Sequence, residues 1–576
     1  MSIPGELERA RQLALAADEE AAKDLLLSLV PRIEQTDSDD EMLEVLAQLG
    51  EIYLSRSAYD GALECTTRID DCVAVYSGIL AGTGPEQAAD VRMSPSDIDR
   101  MVTRYTRRAQ FLRAGLAAAR GDHEGAENAL TLLRGGESSN IQTDLEQEHR
   151  DLVVHASILC ATALCDDDLH VRSLPLWELV IPVIDGSNGG TDSADKLLVL
   201  GGTAYGRYCI ETGRLSEGER WLHRAESRAR TRDWELHCAR AELERAAASW
   251  SRRDHLTTEQ LVSGAYPVIA RYARAHDVAR CWLYLGLTRM GIGALQAADE
   301  CWENAERHWR ELGRPLYIHR ILLQRSWIAI VRGRFADAVE SVAQARDQLD
   351  SWPRAGWLQY ARLDDHLGTI WRADALADLG FDGAGDPSET WQEAEARFAG
   401  ALGTIRSDAG TAGHRSAMTK FETAAKLKVP AALAVDSVRY SIADADARWR
   451  WGTYVSARIL AGAFAVAWEW ENTAVVSELI EYHCARGVFG HPVSEETGGW
   501  ATVATAAVPV ADVGELAAVA AGRPAAGAST LTTLGPLPPL QMDPDSQPLL
   551  GHYRALALSR YGQDVTGSDA VWSTWP

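Results

Sequence analysis

The chain has 576 residues, 46% of them hydrophobic and 24% charged, with a formal net charge of −25. That length exceeds what one compact core holds, so several domains or one elongated array is expected, and the composition excludes disorder over most of the chain. The balance of 82 Asp and Glu against 57 Lys and Arg repels a phosphate backbone and excludes nucleic acid as the default partner.

The chain opens on the polar stretch MSIPGELERA, and no charge-free apolar run of about 18 residues follows. The nearest, 501–522, contains Pro509, Asp512 and Glu515, so a cytoplasmic protein with no membrane partner is expected. Helical hairpins come first: LAQLGEIYLSRSAYDGALE sets Leu49, Gly50, Tyr53, Tyr59 and Ala62 at the spacing of two packed helices, and ARGDHEGAENA does so with Gly121 and Ala126. The loop IDGSNGGTDSAD at 184–195 predicts a seam. TGRLSEGERWLHRA resumes the pattern with Gly213, Leu215, Gly218 and Ala225, and the stretch Arg253 to Ala265 keeps the interval without a glycine.

The clearest hairpin is CWLYLGLTRMGIGALQAADECWENAERHW. Gly293 ends its first helix, Leu295 opens the second, and Ala298, Trp302 and Ala305 form the packed face of the second. Gly286 and Ala298 let the two axes draw near while Trp282 and Trp302 fill the space on either side. VRGRFADAVESVAQA, with Gly333, Phe335, Ala338 and Ala345, and LDDHLGTIWRA, with Leu367, Gly368 and Trp371, continue the series; FDGAGDPSE at 381–389 predicts a second seam. From Ser416 to Phe489 the pattern stays helical without clean repeats, with Trp449, Trp451, Trp468 and Trp470 clustered. After Gly490, RPAAGAS and LGPLPPLQMDPDS predict a flexible or extended connection. LLGHYRALALSRYG predicts a short amphipathic closing helix with Leu549, Tyr553, Leu556 and Tyr561 as its apolar contacts, which either docks on the array or binds a partner.

Several columns recur at an interval of forty: Arg240, Arg280 and Arg320; Leu243, Leu283 and Leu323; Ala246, Gly286 and Ser326; Ala265, Ala305 and Ala345. A fixed period of this size signals stacked repeats. With the W-x-x-L-G opening of Trp282, Leu285 and Gly286, the stretch 40–380 resembles the tetratricopeptide (TPR) repeat family. The family unit is about 34 residues, so the wider interval implies longer helices or connections. The resemblance implies an all-α, right-handed solenoid of TPR-like hairpins whose first helices line an inner groove. The expected organisation is an array at 1–390, a helical continuation at 391–490, a Pro/Ala/Gly-rich linker at 491–545 and a C-terminal helix and tail at 546–576.

The family register places Arg108, Arg240, Arg280, Arg320 and Arg362 at the second position of first helices, with Leu243, Leu283, Leu323 and Phe111 three residues later on the same face. The resemblance thus implies a groove of alternating cationic and apolar strips, suited to a protein or peptide segment that is acidic or amphipathic. Tyr284, Leu287, Trp327 and Arg207 are further groove candidates. The competing reading is structural: such arginines bridge to Glu or Asp of a neighbouring helix, as Glu242 and Glu244 allow, and stabilise little.

Catalytic motifs are lacking: the chain has no HExxH, G-x-S-x-G, GxxxxGK[ST] or dinucleotide loop. The runs Asp39–Asp40 and Asp166–Asp168 read as turn and cap acids, and the nine cysteines, with no CxxC spacing, read as reduced packing residues. His483 and Cys484 are adjacent on a helix and point about 100° apart, which rules out a hydrogen-bonded nucleophile pair. No catalytic residue, cofactor or metal is expected.

SELIEYHCARGVF, the Pro-rich LGPLPPLQM and the closing SRYG resemble, over 465–576, C-terminal regions of actinobacterial repeat proteins associated with CHAT-type caspase-like peptidases. That resemblance implies an adaptor or sensor arm in a bacterial conflict or regulatory system. The chain shows no peptidase dyad, so the caspase-like peptidase would act in trans. The function expected is a non-catalytic protein–protein interaction scaffold, and the alternative is a ligand-gated regulatory arm answering a small molecule or signalling peptide.

Overall fold

A computed structural model describes residues 2–36, 38–83, 93–135, 145–186, 190–381, 385–398, 410–441, 445–485, 540–541, 548–565 and 572–573. Helices follow one another as hairpins: α1 (Ile3–Leu15) with α2 (Glu19–Thr36), α3 (Asp39–Ser55) with α4 (Tyr59–Leu80), α5 (Pro95–Arg120) with α6 (His123–Gly135), and α7 (Glu146–Asp166) with α8 (His170–Asp185). The series continues with α9 (Asp192–Glu211) and α10 (Leu215–Thr231), α11 (Glu235–Ser251) and α12 (His255–Arg271), α13 (Ala275–Gly291) and α14 (Leu295–Glu311), and α15 (Pro315–Val331) and α16 (Phe335–Asp350). Next, α17 (Trp357–Asp378) packs against α19 (Ala412–Ser437), with the short α18 (Trp391–Phe398) between them in sequence.

The chain proceeds through α20 (Ala445–Arg450), a π-helical turn at Trp451–Ser456, α21 (Ala457–Glu469) and α22 (Thr473–Ala485), and α23 (Gly551–Tyr561) follows the linker. The fold is all-α and TPR-like; among the described residues the one extended feature is a two-residue parallel pairing of Leu540–Gln541 with Trp572–Ser573. No helix among the described residues is long and apolar enough to cross a membrane. The linker expected at 491–545 lies outside the described residues except for 540–541.

The hairpin turns explain the periodic glycines. Between α13 and α14, Gly293 adopts φ +83, and the Ala294 N–H donates to the Arg289 carbonyl at 2.9 Å, the bond that closes a helix C-terminus with a left-handed residue. Between α11 and α12 the Asp254 N–H makes the same bond to Ser249 at 3.0 Å, but the left-handed residue is Arg253, at φ +63. The turn therefore survives without its glycine, at a cost of about 1–2 kcal/mol for placing a Cβ there. Within the α13/α14 hairpin, Gly286 is required by close approach: a Cβ would stand 2.3 Å from the Trp302 indole nitrogen. That indole is buried and donates to the Leu283 carbonyl at 3.2 Å.

The helices form two compact units, with α11 and α12 contributing to both. The first comprises 1–209, 216–244 and 267–272; the second comprises 210–215, 245–266 and 273–576. In the first unit, Tyr105, Phe111 and Leu112 of α5 are fully buried in the core between its neighbours. This unit also closes on itself, because Leu15 at the end of α1 packs with Val199 of α9, Ala229 of α10 and Trp234. Beside that contact, Gln12 donates to Asp192 at 2.6 Å. In the second unit, α13/α14, α15/α16 and α17/α19 pack as successive hairpins.

The insertion 381–389, expected as a seam, runs into a segment bound to the hairpin ends. Arg332 stacks its guanidinium 4.0 Å from the Trp391 ring centre and donates to the Glu389 carbonyl at 3.0 Å. Arg397 donates to the Val331 carbonyl at 2.6 Å.

Candidate functional site

In the first unit the first helices of successive hairpins bring a set of charged side chains together, which forms a wall between them. Helix α3 presents Glu44, Gln48 and Glu51, and α5 presents Arg104, Arg107, Arg108 and Phe111; spacings of three, four and seven put each set on one helix face. Helix α7 adds Glu148 and His155, α9 adds Lys196 and α1 adds Arg11. Arg108 is the centre. Its guanidinium contacts Glu44 at 2.8 Å, Glu51 at 3.0 Å and Glu148 at 3.7 Å.

Glu44 is saturated as well, by Arg11 at 3.0 Å, Arg104 at 3.3 Å and the Gln48 amide at 2.8 Å. Glu51 accepts from Lys196 at 3.1 Å, and Arg104 reaches Glu148 at 2.9 Å. Burial alone pushes the Glu44 carboxyl up, but Arg108, Arg104 and Arg11 outweigh it and hold the group well below the usual carboxylate range. The same competition, with Lys196 and Arg108 opposing burial, sets Glu51 at about 2. His155, whose ring lies 4.8 Å from that of Phe111, is pushed down to about 3 by burial and by Lys196, and is neutral.

Two features of this wall bear on binding. Arg104, Arg107, Arg108 and Lys196 lie with Glu44, Glu51 and Glu148, while Arg11 is shared with Glu8 at 3.3 Å, so among these described residues cations outnumber carboxylates within a protein of net charge −25. Moreover, Arg107 holds a buried guanidinium nitrogen with no hydrogen-bond acceptor among the described residues. Arg104 and Lys196 keep 26% and 28% of their side chains exposed, against 8% for Arg108.

The arginine column divides between the units. In the first, Arg108 takes the structural role, bridging carboxylates of neighbouring helices, and Phe111 lies in the core; Arg240 is half-buried and Leu243 fully buried. In the second, Arg280 is buried and Leu283 is buried beside it in sequence. Arg320 is half-buried with its guanidinium 5.2 Å from the Tyr317 ring centre, and Arg362 and Leu323 are half-buried. Of the further candidates, Tyr284 and Leu287 are buried, Trp327 packs edge-on to His366, and Arg207 pairs with Asp166 at 2.8 Å. The sequence reading missed Glu44, Arg104, Arg107 and Lys196; the only signal available was the i, i+4 pair Arg104/Arg108 and the i, i+7 pair Glu44/Glu51.

The acidic runs are structural. Asp39 accepts from the Tyr76 hydroxyl, Asp167 pairs with His123 at 2.8 Å, and Asp168 occupies a left-handed turn at φ +67. Among the described residues no group of three or more His, Cys, Asp or Glu is placed to hold a metal, and no disulfide joins the cysteines.

No protein-family model matches the chain, and no curated protein matches its sequence. Among solved structures it is similar to a Rap protein complexed with competence and sporulation factor, at 9% identity and TM-score 0.41, covering 78% of this chain and 100% of that one. It is similar also to the apo form of RapI, at 8% identity and TM-score 0.40, covering 75% and 98%. A third is aspartyl phosphate phosphatase F from Bacillus subtilis, at 10% identity and TM-score 0.31, covering 67% and 96%.

Proposed function

We propose that the protein is a non-catalytic protein-interaction scaffold or adaptor, and that the wall of its first unit holds an acidic or amphipathic segment of a protein or peptide. The observation that carries this reading is the excess of cations on that wall, with one nitrogen of Arg107 lacking any acceptor among the described residues. A small rotation of its flexible stem brings that nitrogen to an arriving carboxylate, which gains a charge-assisted bond without displacing an internal partner. Arg104 and Lys196 supply exposed second contacts, while Glu51 and Glu148 repel acids placed out of register. The setting implied by the C-terminal resemblance, a bacterial conflict or regulatory system with a caspase-like peptidase in trans, names the first partner class to try.

Selection of a short random-peptide display library on the immobilised full-length protein is expected to enrich Asp- and Glu-bearing sequences. Arg104→Glu combined with Arg107→Glu should abolish the enrichment. Enrichment of basic or uncharged sequences, indifferent to those substitutions, contradicts the reading.

A further inference from the structure

The C-terminal helix α23 docks on the second unit, against α17 and α19. Its buried face is Tyr553, Ala557 and Tyr561, one residue every four, flanked by buried Leu549, Leu550 and Val565. Three polar contacts fix it. The Tyr561 hydroxyl donates to Asp364 Oδ2 at 2.7 Å, while Asp364 Oδ1 accepts from Arg346 at 2.6 Å. The Leu550 N–H donates to Glu478 of α22, and Arg560 donates to the Lys426 carbonyl at 2.7 Å.

The helix has little to hold it besides this seat. Eleven residues are too few for a stable isolated helix in water. Its N-cap, Leu550, lies in the left-handed region at φ +53, provides no side-chain cap, and the first turn has no acidic residue. Residues 486–550 separate it in sequence from α22.

Charge says what the seat accepts. The segment 547–565 carries Arg554 and Arg560 against one acid, Asp564, while Asp364, Glu422 and Glu478 lie against it, the first paired with Arg346 and the second with Lys426. Asp364 is also selective: its side chain is 8% exposed, and among the described residues its Oδ2 meets Tyr561 at 2.7 Å and Arg560 at 3.9 Å. A helix with phenylalanine at that place would leave a buried carboxylate oxygen without its donor.

We propose that the surface formed by α17, α19 and α22 is a helix-docking site that α23 occupies in cis, and that a basic, tyrosine-bearing amphipathic helix of a partner protein takes in trans, displacing α23. A partner carrying two tyrosines eight residues apart and an arginine near the second matches the seat. Because α23 belongs to the same chain and already fills the seat, such a partner binds the intact chain weakly and a chain with a weakened α23 strongly. This site is separate from the wall of the first unit and does not depend on the reading given for that wall.

The test uses a fluorescein-labelled peptide of residues 547–565 as the probe and the full-length chain as receptor. Anisotropy is expected to give at least tenfold tighter binding to the Tyr553→Ala/Tyr561→Ala chain than to wild type, and at least a tenfold loss when Asp364→Asn is added. Hydrogen exchange should quicken in 551–561 of the double variant and stay unchanged in α17 and α19. Absence of saturable binding to the double variant overturns the proposal, as does loss of protection in α17 and α19 along with α23, which would make the helix an inseparable part of the core. A concentration-dependent wild-type dimer abolished by Tyr561→Ala also overturns it, because the seat then belongs to a second copy of this chain. Acidic peptides selected on the first unit should bind all these variants equally, so the two readings fail separately.

Discussion

Arg108 and Glu44 meet at 2.8 Å inside the first unit, each with 8% of its side chain exposed, and so tie α5 to α3 across a wall that the repeat pattern alone would leave open. Breaking an isolated buried pair costs about 3–5 kcal/mol; here Arg11 and Arg104 still hold Glu44 when Arg108 is removed, and Glu51 and Glu148 still hold Arg108 when Glu44 is removed, so each single loss sits at or below that figure. Urea denaturation should show Arg108→Ala and Glu44→Ala each destabilising and Arg108→Met/Glu44→Leu markedly milder than the sum of the singles. Additive losses would mean that the two residues stabilise the unit independently.

Arg253 predicts a gain. It holds a left-handed turn that glycine holds between α13 and α14, so Arg253→Gly removes the strain at the cost of a more flexible unfolded chain. The net expected change is about 0.5–1 kcal/mol of added stability, read as a higher urea midpoint at unchanged slope. A lower midpoint would show that the arginine side chain contributes more than its backbone costs.

His366 links stability to pH. Its Nε2 lies 2.6 Å from the Ser326 hydroxyl, and burial, then Lys428, then His319 push its imidazole down to about 3. The native ring is therefore neutral, whereas an unfolded histidine titrates near about 6.5. The unfolded state binds the extra proton between those values, so stability falls as pH drops from about 6.5 toward about 3. Between pH 7.5 and 4.5 this group should account for about 2–3 kcal/mol of the loss. His366→Gln should be less stable at pH 7.5 but lose less on acidification; an unchanged pH dependence would show that the ring gains its proton while still folded.

What the sequence made legible was local chemistry. Gly293, Ala298 and Trp302 announce a turn, a close approach and its filler within one hairpin, and the structure uses each that way. Leu549, Tyr553 and Tyr561 of the closing segment are buried as its sequence suggests, whereas Leu556 is half-buried and Ala557 takes the buried place between the tyrosines. What was not legible joins distant parts of the chain without recurrence. Glu44 and Arg108 are separated by 64 residues, and no column contains both. The strip of leucines was read as one face, yet Leu243 is wholly buried and Leu323 half-buried, because the burial of a repeated position depends on what packs over each copy. The segment after 381, rich in glycine and acid, gave no sign of Trp391 seated on Arg332.

The first unit's wall, on the reading proposed above, binds an acidic segment through its surplus cations. The most direct measurement is calorimetric titration of a selected acidic amphipathic peptide into the wild type and into Arg104→Glu/Arg107→Gln, at low and at physiological salt, with thermal unfolding confirming that the variant is folded. The account predicts an affinity that falls with salt and at least tenfold weaker binding by the folded variant. Equal affinity in both proteins, insensitive to salt, would contradict it.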